Sequence, residues 1–464
     1  MPQTCHSPTP TAQFDVVISG GGMTGAMLAY RLLTQANARP LRIAIIEQTA
    51  AATDDAKPTA SFDSRSIALS AASLELLHDW GLWRDLKAHA CAIKQIEVSD
   101  RGHIGKTYVN ALDYRRDALG YVIEIEWIGD CLYQKLAPFA QGEQPRLTWL
   151  RPDALTGVTQ QQSLVELTLQ SGVVLTTSLL VLAEGGDSPS RALVGIDCSR
   201  DDYQQTALIA NIGLAPAAAN SAAVTSAAAT SAAHQYKAYE RFTKDGPMAL
   251  LPLPQHRFSL VWTTTPERAA ELKLLPEREF LAQLQHEFGY RAGEFISVGN
   301  RVVYPLQLKQ AKQASAHRVV LAGNSLHSLH PIAGQGFNLA LRDLQALSQL
   351  VQQHTDVGSY ALTSQYQTLR LQDMQQTVWL TDSLVRLFSN ASKLVAFGRT
   401  IGLTLLNHLT PLKTAFAAQT MGLTPLRAQQ QQLRLKPEHV KPDQAAPDPV
   451  APQSTSEPSA SEMS

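Results

Sequence analysis

Six consecutive residues close to the N-terminus have the types and spacing of a phosphate cradle. Gly20-Gly21-Gly22-Met23-Thr24-Gly25 fits the pattern G-x-G-x-x-G. Gly20 permits a tight turn, Gly22 lets a pyrophosphate approach the backbone, and Gly25 lets a helix pack closely on a strand. Glu47 closes the next apolar run, where a carboxylate can accept hydrogen bonds from the hydroxyls of an adenosine ribose. The chemistry implied is dinucleotide binding, and the glycines alone leave FAD and NAD both open. A second pair of reactive side chains, His327 and His330, is three residues apart, a spacing that can hold a metal ion on a helix. No third or fourth ligand accompanies the pair and Pro331 follows it, so no metal site is expected.

The elements that must position these groups can be read from the apolar pattern. Residues 14–19 (FDVVIS) form a short apolar run, residues 23–33 are helical in pattern, and residues 41–46 (LRIAII) form a second buried-strand run. Together they make a β-α-β unit of about 30 residues, the size of a parallel crossover. Residues 93–99, 207–213, 236–242, 248–253 and 258–263 are short, strand-like and separated by turn residues, which predicts a mixed or antiparallel sheet. Residues 179–183 and 318–322 are apolar runs leading to glycine and suit parallel strands that return to the first unit. From Phe337 to about Gln430 the pattern is helical. Residues 215–233, almost all Ala, Ser, Thr and Asn, and the Pro-, Ala- and Ser-rich tail after Leu435 are expected to lack structure, as are residues 1–13.

Composition narrows the class. A chain of 464 residues calls for two or three packed regions, and 44% hydrophobic with 17% charged residues is ordinary globular usage. A formal net charge of -1 without a dense Lys/Arg run argues against a nucleic-acid partner. Cys5, Cys91, Cys131 and Cys198 are far apart and form no C-x-x-C pair, a pattern that suits a reducing cytoplasm. The N-terminal residues lack the basic start and apolar core of a signal peptide, and no apolar run reaches the length of a membrane span.

Three further segments carry a resemblance. Residues 62–69 (FDSRSIAL), 182–191 (LAEGGDSPSR) and 321–338 (LAGNSLHSLHPIAGQGFN) resemble motifs of the aromatic-hydroxylase group of flavoprotein monooxygenases, which share the p-hydroxybenzoate hydroxylase fold. With the glycine motif they run in the family's order from about residue 15 to residue 343. Within that group, residues 62–69, 98–103, 240–247 and 330–338 are similar to the hydroxylases of 2-polyprenyl-6-methoxyphenol in ubiquinone biosynthesis. Two positions depart from the group's pattern. Glu184 stands in place of an Asp, and Asn324 stands in place of the Asp that holds a ribityl hydroxyl, although Asn here is itself a feature of the narrower subgroup. An amide oxygen still accepts that bond, without charge assistance.

The resemblance implies an α/β fold: a Rossmann-like FAD-binding domain (residues 14–75, 105–192 and 295–345), a substrate domain built on a mixed or antiparallel sheet (76–104 and 193–294), and a C-terminal helical region (346–430). FAD is the implied cofactor, held by Gly20, Gly22, Gly25, Glu47, Arg65, Asn324, Gly334, Gln335, Gly336, Phe337 and Asn338. The Gly334-Gln335-Gly336 turn leads into a helix whose N–H groups can stabilise negative charge at the flavin N1–C2=O edge. The implied reaction hydroxylates a polyprenyl phenol with O2 activated at C4a of the flavin, and NAD(P)H is the co-substrate, although no second glycine motif exists for it. His330 and Pro331 are the expected catalytic contacts to the phenol, His330 being open also to a purely structural turn role. Phe242, Met248, Leu250 and Leu253 are expected as an apolar substrate wall that excludes water, with plain core as the alternative. Arg191 is expected to be structural, and Trp127, where many relatives carry a polar flavin contact, receives no role.

Three functional readings follow. The first is the polyprenyl-methoxyphenol monooxygenase, the second a sister hydroxylase acting at another ring position or on a soluble phenol, and the third an FAD-bound scaffold without turnover in a biosynthetic assembly. A lipid-borne substrate implies peripheral contact at the inner face of the membrane, for which the apolar helical residues after Thr377 offer a surface, and contact with other ubiquinone-biosynthesis proteins.

Overall fold

The structure, a computed structural model, describes residues 12–50, 65–101, 106–215, 236–329, 334–389 and Gln429. The expectations for His330 and Pro331, for residues 216–233 and for the tail lie outside these residues. Ala12 and Gln13, expected to precede the ordered chain, open its first strand.

The first unit is a sheet whose central strands are parallel. Its order is Ser315–Ala316, Val319–Leu321, Val174–Leu182, Ala12–Ser19, Ile43–Ile46 and Leu147–Leu150, and Leu155–Gln160 and Val165–Leu169 extend it through Val174–Leu182. Val16, Val17 and Ile18 have no exposed surface, as expected of a strand covered on both faces. Register does the positioning. Ser19 pairs with Ile46 and with Leu182, and Leu182 pairs with Leu321, so the strands stop at one level. Beyond that line lie Gly20, Glu47, Glu184 and Gly323, the crevice at the carboxyl ends of strands where α/β sheets bind ligands. Helix Met23–Thr34 follows the glycine turn and buries Ala26 to Tyr30, Leu32 and Leu33 against the sheet.

The second unit is a largely antiparallel sheet. Its order is His327–Ser328, Val302–Ala311, Cys198–Leu214, Arg257–Thr264, Gly246–Leu253, Lys237–Thr243, Gln95–Asp100 and Lys106–Asn110, with Phe295–Val298 also on Cys198–Leu214. Helices Pro266–Leu274 and Glu277–Phe288 cover one face. Strands Ser66–Ser70, Gly120–Glu124 and Cys91–Ile93 make a small third sheet between the two units.

Three domain boundaries move from their expected places. Lys106–Asn110 pairs with Gln95–Asp100, and Phe295–Val298 and Val302–Ala311 pair with Cys198–Leu214, so all three belong to the second sheet. Conversely, Leu76, Leu77, Leu82 and Leu86 pack in the core of the first unit. Alternating strands and short apolar helices look alike whichever sheet they join, and the pattern does not name the partner.

Helices Gln335–Gln353 and Tyr360–Ser389 pack on each other and against the first unit. Among the described residues no helix is long and apolar enough to cross a membrane.

Candidate active site

The glycine turn is sterically closed to anything larger. Gly20 has φ +108°, and a Cβ there would lie 2.5 Å from the Ala183 carbonyl oxygen. A Cβ on Gly25 would lie 1.9 Å from the Gly20 carbonyl oxygen, which fixes how closely the helix sits on the turn. Gly22 caps helix Met23–Thr34 without a side chain, leaving first-turn N–H groups free for an anion. Glu47 Oε2 accepts from Gly21 N at 2.7 Å and Oε1 from Thr49 N at 2.9 Å. A carboxylate has about four acceptor sites, so capacity for ribose hydroxyls remains.

The two departures from the family pattern resolve differently. Glu184 accepts hydrogen bonds from the hydroxyls of Ser19, Ser188 (2.6 Å) and Ser190 (2.5 Å), and it thereby ties the first parallel strand to the turn after Val174–Leu182. Its extra methylene is absorbed by these serines, and its role is to shape the crevice. Arg191 is buried and donates to Ser325 O and Gly186 O, both at 2.8 Å, joining that turn to the Gly323–Ser325 turn. Asn324 on that second turn is exposed, while Gly323 beside it abuts Thr24 of the nucleotide helix. Asn324 is therefore presented to the crevice next to the phosphate cradle, where a ribityl chain would pass.

Behind that turn lies a buried ionic network that the sequence did not disclose. Asp343 Oδ2 accepts from Gly323 N at 2.9 Å and bonds His327 Nε2 at 2.8 Å, and Oδ1 accepts from Arg370 Nε at 2.6 Å. Arg370 and Arg342 both reach Asp373 at 2.7 Å, and Gln429 joins through the Arg342 carbonyl at 3.1 Å. Burial pushes the Asp343 carboxyl up, but His327 and Arg370 outweigh it and hold it below the usual carboxylate range. His327, weighed as a metal ligand from its spacing, is thus placed in the network, with no exposed surface.

The expected flavin-loop residues come together at the start of helix Gln335–Gln353. Gly334 caps it in the left-handed region (φ +60°) without a side-chain cap, and Gly336 has open space around its Cα. Gln335 is buried and Phe337 packs on the core of the first unit. The Asn338 side chain is fully engaged within the protein: Oδ1 accepts from Ser70 N at 2.9 Å and Ser73 Oγ at 2.6 Å, and Nδ2 donates to Ala68 O at 2.9 Å and Gly334 O at 2.6 Å. It clamps the loop and leaves flavin contact there to backbone groups. Arg65 lies over the Tyr304 ring at 5.3 Å, between the two units.

The substrate wall requires a correction. Side chains alternate along a strand, so one parity faces each side. Met248 and Leu250 pack with Tyr239, Phe258, Leu260 and Trp262 under the covering helices, in a core remote from the first unit. The opposite face looks toward the small third sheet, as Arg257 and Asn211 show by reaching Glu124 at 2.9 Å and 3.0 Å. Phe242 and Leu253 lie on this inner face together with Val98, Ile209, Ala249, Leu251 and Val261, several of them half-buried. Glu240 also lies there, opposite Ala249, and burial pushes its carboxyl up to about 8. Trp127, left without a role, stacks on His89 with ring centroids 3.7 Å apart.

The uncapped start of helix Met23–Thr34, the remaining acceptor capacity of Glu47 and the exposed Asn324 are groups that would hold an FAD molecule in the crevice. Comparison with known proteins agrees. Residues 13–381 match the family described as FAD binding domain. Ubiquinone hydroxylase UbiL of Rhodospirillum rubrum is 31% identical, with 90% of this chain and 92% of that one covered. The 3-demethoxyubiquinol 3-hydroxylase of Escherichia coli is 28% identical (88% and 98% covered), as is ubiquinone biosynthesis monooxygenase COQ6 of Homo sapiens (87% and 92%). Among solved structures, p-nitrophenol 4-monooxygenase PnpA from Pseudomonas putida superposes with a TM-score of 0.69 at 14% identity, covering 89% of this chain and 98% of that one. The probable FAD-dependent monooxygenase pqsL from Pseudomonas aeruginosa gives 0.65 at 22% identity (84% and 99% covered). Those two likenesses concern the fold, whereas the family match and the curated relatives span most of the chain: the protein belongs to the FAD binding domain family and is a flavoprotein monooxygenase.

Proposed function

We propose that this enzyme hydroxylates the ring of a polyprenyl phenol in ubiquinone biosynthesis, with 2-polyprenyl-6-methoxyphenol as substrate. The observation that carries the reading is the inner face of the second sheet, on which Val98, Ile209, Ala249 and Val261 form an apolar surface. The overall balance is one phenol, one O2, one NAD(P)H and one proton going to one hydroxylated ring, NAD(P)+ and water. FAD, when bound, supplies hydride acceptance and oxygen activation.

The chain's residues supply the rest. The start of helix Gln335–Gln353, which carries no side-chain cap, would favour negative charge developing on a bound flavin, and Asn338 holds that loop in place. Val98, Ala249, Leu251 and Val261 pack against an aromatic ring and exclude water. A polyprenyl chain leaves such a pocket along apolar surface, which supports peripheral contact with a membrane.

A second reading concerns ring position. The relatives named for ubiquinone hydroxylation include a 3-demethoxyubiquinol 3-hydroxylase, which favours a sister position on the same ring. The test incubates purified FAD-loaded protein with NADH or NADPH, air, and either 2-polyprenyl-6-methoxyphenol or 3-demethoxyubiquinol, with products identified by mass. A hydroxylated product from the first alone supports the proposal. Product from the second alone selects the sister reaction, and flavin without any product rejects both.

A further inference from the structure

We propose that the Glu240 carboxylate takes the phenolic proton of the substrate and returns it to the ring oxygen once the product is formed. The inference rests on the reading of the protein as a phenol hydroxylase. Glu240 lies within strand Lys237–Thr243, on the inner face, between Val98 of one neighbouring strand and Ala249 of the other. Glu240 is half-buried, whereas the buried carboxylates among the described residues are paired: Glu97 with Lys237 and Arg291, Glu124 with Arg257, Asp343 with Arg370, and Asp373 with Arg342 and Arg370. No described residue makes a hydrogen bond or ion pair with the Glu240 carboxylate. An unpaired carboxylate in an apolar wall costs stability, and such groups concentrate where they do chemistry.

The chemistry fits. The phenol O–H bond breaks and an O–H bond forms on the carboxylate, placing negative charge on the ring oxygen and raising electron density ortho and para to it. As the product regains aromaticity, the ring carbon loses its proton to water and the ring oxygen takes back the one on Glu240. An ordinary glutamate, near ~4.3, is about six units short of a phenol near ~10, whereas Glu240 at about 8 is roughly two units short. Another titratable group at this face is the Glu124–Arg257 pair. Cys91 is on a strand packed against Gly246–Leu253, its thiol pushed up to about 11, and the paired Arg370 and Asp373 are on helix Tyr360–Ser389. Arg65 is held over Tyr304.

The test compares FAD-loaded wild type, Glu240→Gln and Glu240→Asp. The phenols are a short-chain prenyl methoxyphenol and its ring-fluorinated, more acidic analogue. In Glu240→Gln, nicotinamide oxidation should continue while hydroxylated product falls at least a hundredfold and hydrogen peroxide replaces it. The fluorinated phenol should restore product at least tenfold in that variant, Glu240→Asp should be intermediate, and the rise of wild-type product rate near pH 8 should vanish in Glu240→Gln. Without any turnover, the affinity of wild type for 4-nitrophenolate should fall about tenfold per unit above pH 8, because Glu240 must acquire a proton to sit beside it. Glu240→Gln should bind it with no such dependence. Equal product loss for both phenols in a folded, FAD-retaining Glu240→Gln overturns the proposal, as does an unchanged binding profile. Wild type that hydroxylates no phenol instead rejects the functional reading beneath it.

Discussion

Replacing Asp343 with Asn tests whether the buried network behind the Gly323 turn holds the site together. The carboxylate accepts three hydrogen bonds with no solvent contact: from Gly323 N and His327 Nε2 on one oxygen and from Arg370 Nε on the other. An amide offers one acceptor, so whichever way it turns, its NH2 faces a donor. The lost charge also leaves Arg370 with Asp373 alone. Breaking a buried pair from one side costs about 3–5 kcal/mol, a large part of the roughly 5–15 kcal/mol that stabilises a domain. Urea unfolding at pH 7, followed by fluorescence, should show a loss of that size, with reduced FAD retention as the Gly323 turn relaxes. The double variant Asp343→Leu/Arg370→Met should be less destabilised than the two single losses added together, by more than about 1 kcal/mol. Because the folded carboxyl is held below its unfolded value near ~3.9, its contribution is present above that pH and fades as pH falls through the lower folded value. A loss under about 1 kcal/mol at pH 7, the size of an exposed ion pair, would refute the reasoning.

Other expectations follow from the same geometry. Met248→Ala should cost about 2–5 kcal/mol in stability and leave KM for the phenol unchanged, while Ala249→Leu should abolish product formation at nearly unchanged stability; a reversed pattern in denaturation and kinetics would restore Met248 to the substrate wall. Gly25→Ala drives a methyl into the Gly20 carbonyl, so flavin absorbance per mole of purified protein should drop at least tenfold, and full retention would contradict the packing. Burial holds Glu240 protonated between about pH 4 and 8 while the unfolded chain ionises, so folding pays an increasing penalty across that window. Glu240→Gln should therefore gain about 2–3 kcal/mol in urea stability at pH 8.5, roughly half the full linkage value to allow for residual solvent contact, and nothing at pH 4. Equal stability at pH 8.5 would show that the carboxyl is not desolvated.

Some of this was legible beforehand and some was not, for identifiable reasons. Strands buried on both faces read as continuous apolar runs, and turns that admit only glycine leave glycines behind, so the cradle at Gly20 to Gly25 and the strand before it were visible. Met248, Leu250 and Leu253 lie on one strand with mixed parity and cannot share a face; alternation reveals that conflict but not which face the covering helices take. The adjacent charges of Arg342 and Asp343, on the apolar stripe of helix Gln335–Gln353, are a trace of the buried network in the sequence. Their partners Arg370 and Asp373 lie on another helix and become neighbours only through packing. The motif around Asn338 implies a cofactor contact, and only the structure shows its amide occupied on every side.

The order of strands in the parallel sheet also bears on how the chain must be made. Val174–Leu182 pairs with the N-terminal strand on one edge, but its other neighbour, Val319–Leu321, is encoded roughly 140 residues later. At about 5–20 residues per second, a ribosome leaves that edge open for roughly 7–28 s, with the antiparallel sheet emerging in the meantime. Val181 and Leu182, fully buried in the finished protein, stay on an open sheet edge throughout, which is a template for association between nascent chains. The lock formed by Asp343, Arg370 and Asp373 arrives later still. Yield of the folded enzyme is thus tied to chaperone supply and translation speed, and slowing synthesis after residue 182 lengthens the most vulnerable interval.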